Sequence, residues 1–334
     1  MKFGPVSIGQ AEGAILAHSV KAGRKKLRKG MVLEGAHIQA LRKAGIKTVT
    51  VAQLEADDSH EDVAAQALAQ ALVAGGDDGL RLTRPQTGRV NILARRPGVV
   101  TMDKDQVNKV NRVHPMITVA TVPPFQQMET GGMVATVKII SYGVPGMDLG
   151  NAVGKARRAI KLNEPILASA SLIISDIPGG AGKKGRAAIE NRLTRLGVEL
   201  IETITVAHET EALTEAIKAA EGELILILTG SATSDPQDVA PEALRLAGGK
   251  VRRFGMPVDP GNLLFVGRVK KGRPVIGLPG CARSPKLNGA DWVLSRVVCG
   301  IDVGNKDIAA MGVGGLLKEI PTRPMPRLGK TPKN

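Results

Sequence analysis

The run Leu224-Ile225-Leu226-Ile227-Leu228 constrains the fold more than any other stretch, because it is aliphatic throughout with no polar break. A half-exposed strand alternates polar and apolar residues; a strand covered on both faces of a parallel sheet does not. The run therefore predicts a buried strand of an α/β sheet. Directly after it stand Thr229, Gly230, Ser231, Ala232, Thr233 and Ser234, all small, four of them bearing a hydroxyl. Such a loop at the carboxyl end of a buried strand lets backbone N–H groups approach an anionic ligand, and ligand sites of open α/β sheets lie at that edge. By itself the stretch is equally compatible with an ordinary strand-to-helix connection. Asp235 and Asp238 follow, then a helix start near Pro241 and Glu242.

The surrounding chain has the matching rhythm. Apolar runs at 169–175, 199–206, 250–257, 263–269 and 274–278 alternate with helical spacing over 183–196, 208–220, from 241 and over 284–298. Strands separated by helical patterns predict a three-layer α/β domain with a mostly parallel sheet over residues 165–305. Before it, residues 1–75 predict a small α+β unit, with strands at 14–20 and 47–52, helices at 36–44 and 58–74, and a linker at Gly75–Gly79. Residues 76–160 read as strand-rich, with β-branched runs at 88–94, 116–122 and 133–142. A C-terminal extension occupies 306–334; its part from Pro321 is rich in Pro, Lys and Arg, a composition expected to be disordered.

Three features bear on chemistry. Gly180-Ala181-Gly182-Lys183-Lys184-Gly185 lies between a strand and a helix, a place where a phosphate-contacting loop belongs. Lys183, Lys184 and Arg186 crowd a helix N-terminus, where cations oppose the helix dipole unless an anion sits among them. Asp235 and Asp238 beside a phosphate site suit a divalent cation; the alternative is that one of them caps the following helix. The third feature is a net charge of +15, which calls for an anionic partner. A basic nucleic-acid-binding protein is the rival class. Six aromatic residues in 334 leave little for stacking bases, so single-stranded nucleic acid fits poorly. Two cysteines, Cys281 and Cys299, make neither a disulfide framework nor a zinc site. The five histidines show no ligand spacing, and His208 reads as the start of a helix. With no signal-peptide core and no membrane-length apolar run, a cytoplasmic protein is expected.

The run from Thr229 to Ala243 resembles, without a gap, the T-G-G-T-G-x-x-P-R-D-V-T-P-E-A loop of molybdopterin-binding proteins of molybdenum-cofactor biosynthesis. These include the molybdopterin adenylyltransferases and molybdenumtransferases. The matches fall at Thr229, Gly230, Pro236, Asp238, Val239, Pro241, Glu242 and Ala243, while Ser231 and Thr233 replace two family glycines. Asp259-Pro260-Gly261-Asn262 and Leu278-Pro279-Gly280-Cys281 resemble the family's K-P-G-K and L-P-G-N turns, and the order G-x-x-L-A-H-x-V, K-G-x-x-L and A-G-I-K-T-V-T-V is similar to the first domain of the molybdenumtransferases.

The resemblance implies molybdopterin, free or nucleotide-linked, as a pterin-phosphate ligand. Thr229, Gly230, Ser231, Thr233, Ser234, Lys183, Lys184, Pro260, Gly261, Pro279, Gly280, Cys281, Arg283 and Ser284 would contact it. Asp238 matches the family's loop aspartate, and Asp235 takes its place in a molybdenumtransferase-like register; both are candidates for catalysis and for Mg2+. For Cys281, an approach to the dithiolene or molybdenum stands against a bystander thiol. Lys183 to Arg186 replaces an acidic helix entry usual in the family, so molybdate insertion or cofactor hand-over is expected rather than adenylyl transfer, with a non-catalytic scaffold as the alternative. Thr87 to Asn91 and Met133 to Ile140 resemble a subgroup fused to a molybdenum-cofactor cytidylyltransferase. No A-G-x-S-x-R-M-G signature is found, so that enzyme is expected as a separate partner. In the resembling molybdenumtransferases the first domain and the cofactor domain meet across a dimer, which implies a homodimer here.

Overall fold

The structure, a computed structural model, describes residues 1–73 and 79–317. The linker expected at 75–79 lies outside these residues except for Gly79, and so does the tail from Pro321. The chain divides into two compact units: Met1–Arg96 with Val100–Leu162, and Pro97–Val99 with the chain from Asn163 onward.

In the first unit, strand Thr48–Gln53 lies between Lys2–Ser7 and Ile15–Leu16, both antiparallel to it. Helix Gly35–Lys43 buries Ile38 and Leu41, spaced three apart, against Leu16, Leu33 and Val51. A second, four-stranded sheet has the order Ile117–Thr121, Met133–Ile139, Arg89–Ala94, Leu80–Leu82. Its buried Val90, Ile92, Val137 and Ile139 pack against Leu68 and Leu72 of helix Glu61–Leu72. The helix expected from residue 58 starts later, because Asp58–His60 pairs as a strand with Gly143–Pro145. Helices Lys104–Asn111 and Gly146–Ala156 are additions to the strand-rich reading. Both carry few large apolar residues, so their periodicity is faint: the first buries only Val107 and Val110, the second Ala152 and Ala156.

Among the described residues, the second unit has a six-stranded sheet: β1 (Ser169–Asp176), β2 (Glu199–Ala207), β3 (Leu224–Leu228), β4 (Lys250–Phe254), β5 (Phe265–Arg268) and β6 (Pro274–Leu278). Their order is β2-β1-β3-β6-β5-β4. The first four in that order are parallel, and β5 and β4 continue antiparallel. The helices are α1 (Arg186–Thr194), α2 (Thr210–Ala219), α3 (Val239–Leu246), α4 (Gly289–Val298) and α5 (Asn305–Ala309). Alternation along the central strands divides the core in two. Leu172, Ile174, Leu224, Leu226 and Leu228 face α1 and α4 through Ile189, Leu193, Val293 and Leu294. Ile173, Ile225 and Ile227 face α2 and α3 through Leu213, Ile217, Ala243 and Leu244. Each such aliphatic side chain contributes roughly 1.5–3 kcal/mol on burial. The three-layer, mostly parallel α/β expectation holds, and it explains the unbroken Leu224–Leu228 run: both faces are covered.

One boundary differs with consequences for the site. Helix α4, expected from residue 284, begins at Gly289. Asn288 caps it, accepting from the Ala290 N–H, while the Asp291 carboxylate accepts from the Asn288 N–H. Arg283, Ser284 and Lys286 therefore belong to the turn ahead of the helix. They are not its first residues.

Candidate functional site at the carboxyl edge of the sheet

Because β1, β3 and β6 are adjacent and parallel, the chain leaves all three at the same edge. The loops after Asp176, Leu228 and Leu278 must therefore lie side by side. The β4–β5 connection, which carries Pro260 and Gly261, reaches the same edge, since β4 runs in the sense of β6 with β5 antiparallel between them.

The loop after β1 is folded by Asp176. Its Oδ1 accepts from the Ile177 N–H at 3.0 Å and the Gly182 N–H at 3.1 Å, so one carboxylate oxygen gathers residues 177–182 into a turn. That turn delays α1, expected from Lys183, to Arg186. Lys183 and Lys184 are exposed on it. Gly185 has φ +95°, and a Cβ there would lie 2.8 Å from Arg283. Only glycine permits both the left-handed conformation and this approach.

The Thr229 loop is internally bonded. Thr229 Oγ1 donates to the Ser231 carbonyl at 2.6 Å and lies 3.3 Å from Thr233 Oγ1; both threonines are buried. Ser231 and Ser234 are exposed. Gly230 passes close over the end of β1: a Cβ there would sit 2.9 Å from the Ser175 carbonyl oxygen. Its N–H donates to Ser175 Oγ at 3.3 Å, and that buried hydroxyl is 2.8 Å from His208 Nδ1. The His208 N–H in turn donates to the Asp176 carbonyl. His208, read as a helix start, thus meets the base of the loop through Ser175.

Asp235 and Asp238 serve the backbone. Asp238 caps α3, its Oδ1 accepting from Val239 and its Oδ2 from the Ser234 N–H at 2.9 Å. Asp235 Oδ1 accepts from the Gln237 N–H at 2.7 Å. Among the described residues no group of three or more His, Cys, Asp or Glu side chains is placed to hold a metal ion.

Arg283 joins the loops. Its Nη1 donates to the carbonyls of Gly182 and Lys184, and its Nη2 to the Thr229 carbonyl at 2.9 Å. Burial pulls its guanidinium below the ordinary arginine range, with the Asp176 charge acting the other way. Pro279 is buried and Gly280 exposed at the start of the same turn, and Cys281 is half-buried. Below them Arg192, 7% exposed, donates to the carbonyls of Ser284 and Lys286. The Pro260 carbonyl accepts from the Gly289 N–H at 2.8 Å, which ties the Pro260–Gly261 turn to the start of α4.

The candidates from the three parallel-strand loops are thus drawn together: Thr229 and Gly230, Lys183 and Lys184, Pro279 to Ser284. Pro260 and Gly261 stand on α4 farther along the edge. Sequence reading missed Asp176, Ser175 and Arg192. Asp176 carried a usable signal, a carboxylate at the carboxyl end of a predicted strand ahead of a glycine-rich loop. Arg192, inside a helix, carried none.

Comparison with known proteins divides the chain in the same way. Residues 174–294 match the family described as a probable molybdopterin binding domain, and residues 5–53 match a domain of unknown function (DUF8806). No curated protein matches. Among solved structures, the protein CinA of unknown function from Thermoplasma acidophilum is 18% identical, covering 35% of this chain and 90% of that one with a TM-score of 0.30. The molybdopterin biosynthesis enzyme MoaB from Thermus thermophilus is 19% identical, covering 40% and 98% with a TM-score of 0.28. Every loop of the carboxyl edge, from the one after β1 onward, begins within the range that matches a probable molybdopterin binding domain.

Proposed function

We propose that the chain binds molybdopterin, free or nucleotide-linked, at the carboxyl edge of the second unit's sheet and acts in molybdenum-cofactor biosynthesis by molybdate insertion or cofactor hand-over. The observation that carries this reading is the Arg283 guanidinium, which fixes the Lys183–Lys184 loop and the Thr229 loop against each other inside the matched domain. A loop pair so held presents small residues, exposed hydroxyls and two lysines to a phosphate without a further ordering cost.

The roles divide by what each side chain is free to do. Lys183 and Lys184 attract the terminal phosphate, while Ser231 and Ser234 offer hydroxyls toward it. Arg283 positions, because its Nη donors already meet carbonyls. Mg2+ is usually held by one or two carboxylates completed by substrate phosphates. Asp235, exposed and with one oxygen outside its turn, suits an ion that arrives with the ligand; Asp238 holds the loop as a helix cap. In an insertion enzyme, Asp235→Asn lowers turnover and spares binding.

The test is recovery of pterin with the purified chain, read from the fluorescence of the oxidised pterin, together with direct titration by molybdopterin. Binding by the parent protein and its loss in Gly230→Ala, whose Cβ cannot pass Ser175, are the expected results. A parent chain that neither retains nor binds the pterin overturns the reading. Homodimer formation and a cytidylyltransferase partner belong to the same proposal, and light scattering and a pull-down with that enzyme check them.

A further inference from the structure

At the opposite edge of the same sheet lies a cavity of about 310 Å3. It opens where β6 begins, at Pro274 and Val275, and where β5 ends, at Arg268, so the length of the strands separates it from the loops after β1, β3 and β6. Its floor is aliphatic, with Leu167, Val275 and Val297 among the lining residues. Its rim carries Arg252, Arg268 and Asp302. Arg252 Nη1 and Nη2 grip the Asp302 carboxylate at 2.6 and 3.1 Å, and Arg268 Nη2 reaches the same oxygen as Nη1 at 3.2 Å. Arg268 Nη1 donates to the Gly272 carbonyl.

Two guanidiniums therefore share one carboxylate among the lining residues, an excess of one positive charge above an apolar floor, with Asp307 of α5 acting on Arg252 from outside the lining. Both heads present planar donors that suit a carboxylate, and Asp302 occupies part of them. A guanidinium has five N–H donors, so neither arginine is exhausted by these contacts. The volume lies at the lower end of the range for small-molecule sites, which typically pair apolar walls with a few oriented polar groups. A dianionic phosphate would fit the single net charge badly and leave the floor uncovered.

We propose that this cavity is a second ligand site, taking a small monocarboxylic acid with an aromatic or branched aliphatic body. The acid group meets Arg268 and Arg252 at the rim, and the body displaces water from the partly exposed Leu167 and Val297. The site is independent of the pterin reading, since no residue is shared between the two edges.

The test is calorimetric titration of the full chain with 2-naphthoate, with 2-naphthamide and inorganic phosphate as comparisons. One-to-one binding of 2-naphthoate is expected, weaker by about tenfold for the neutral amide, as suits loss of a charge-assisted contact. Arg268→Gln weakens binding by a similar factor, and Val297→Phe, which fills the cavity from α4, abolishes it. Asp302→Asn moves in the other direction and tightens binding, because the carboxylate competing for both guanidiniums is gone. A merely structural role for Asp302 predicts no such gain, so this variant decides even if Arg268→Gln fails to fold. The proposal is overturned if 2-naphthoate does not saturate, if phosphate binds as tightly, or if Asp302→Asn leaves the affinity unchanged.

Discussion

The Arg192 guanidinium and the Asp291 carboxylate meet at 2.6 Å between α1 and α4, with Arg192 almost wholly buried. The remaining donors of Arg192 go to the carbonyls of Ala188, Ala282, Ser284 and Lys286. A single side chain thus satisfies the turn that carries Arg283. Removing one member of a buried pair leaves the other charge uncompensated, at a cost of roughly 3–5 kcal/mol. Arg192→Met is expected to lose about that much in urea unfolding. Adding Asp291→Asn to Arg192→Met recovers part of the loss, because no buried charge then remains alone.

Arg283 predicts a local effect. Arg283→Lys keeps the charge and loses the fork that spans Gly182, Lys184 and Thr229. Global stability is expected to fall by about 1–2 kcal/mol, the worth of one such contact. Trypsin should cut after Lys183 and Lys184 about tenfold faster, because local opening of the loop becomes cheaper. Mass spectrometry of the nicked fragments checks the position of cleavage.

The two thiols separate by environment. Burial pushes Cys299 up to about 12, whereas Cys281 is half-exposed. The thiolate is the reactive form, so Cys299 is inert at pH 8. Iodoacetamide is expected to modify one thiol, Cys281, in the folded protein and the second only in denaturant. Modification of Cys299 under native conditions would contradict its burial.

Glu61 in the first unit gives a pH dependence. Burial raises its carboxyl above the ordinary value of 4.5, and Lys138, 3.7 Å away, offsets only part of that. The folded state therefore binds more protons than the unfolded chain across the interval above 4.5. Stability from this group is present at lower pH and falls as pH rises through that interval. Glu61→Gln is expected to flatten the slope, and denaturant midpoints measured from pH 4.5 to pH 8 read it.

Much of the edge was legible from residue order. The Thr229 loop and the Pro279–Gly280 turn follow strands that the sequence marks clearly, and adjacency of those strands puts the two loops together. Lys183 and Lys184 were readable as a basic loop, though its length was not: Asp176 holds the turn open from a position outside the glycine motif. The start of α4 was misread for a similar reason. Pro285 and Leu287 do not stop a helical pattern on paper, while the Asn288 cap and its partner Asp291 do so in space.

The sequence by itself determined the layered α/β class of the second unit, because Leu224–Leu228 has no polar face to offer water and must be covered on both sides. It also determined which loop is small enough for close backbone approach. Tertiary structure alone decided which polar groups stay exposed at the carboxyl edge and which are spent inside the protein. Arg283 became a brace between two loops and Ser175 a link to His208, because each lay within reach of groups 33 to 101 residues away. Hydrogen-bond partners at such separations follow from strand order and register, and no local pattern in the chain encodes them.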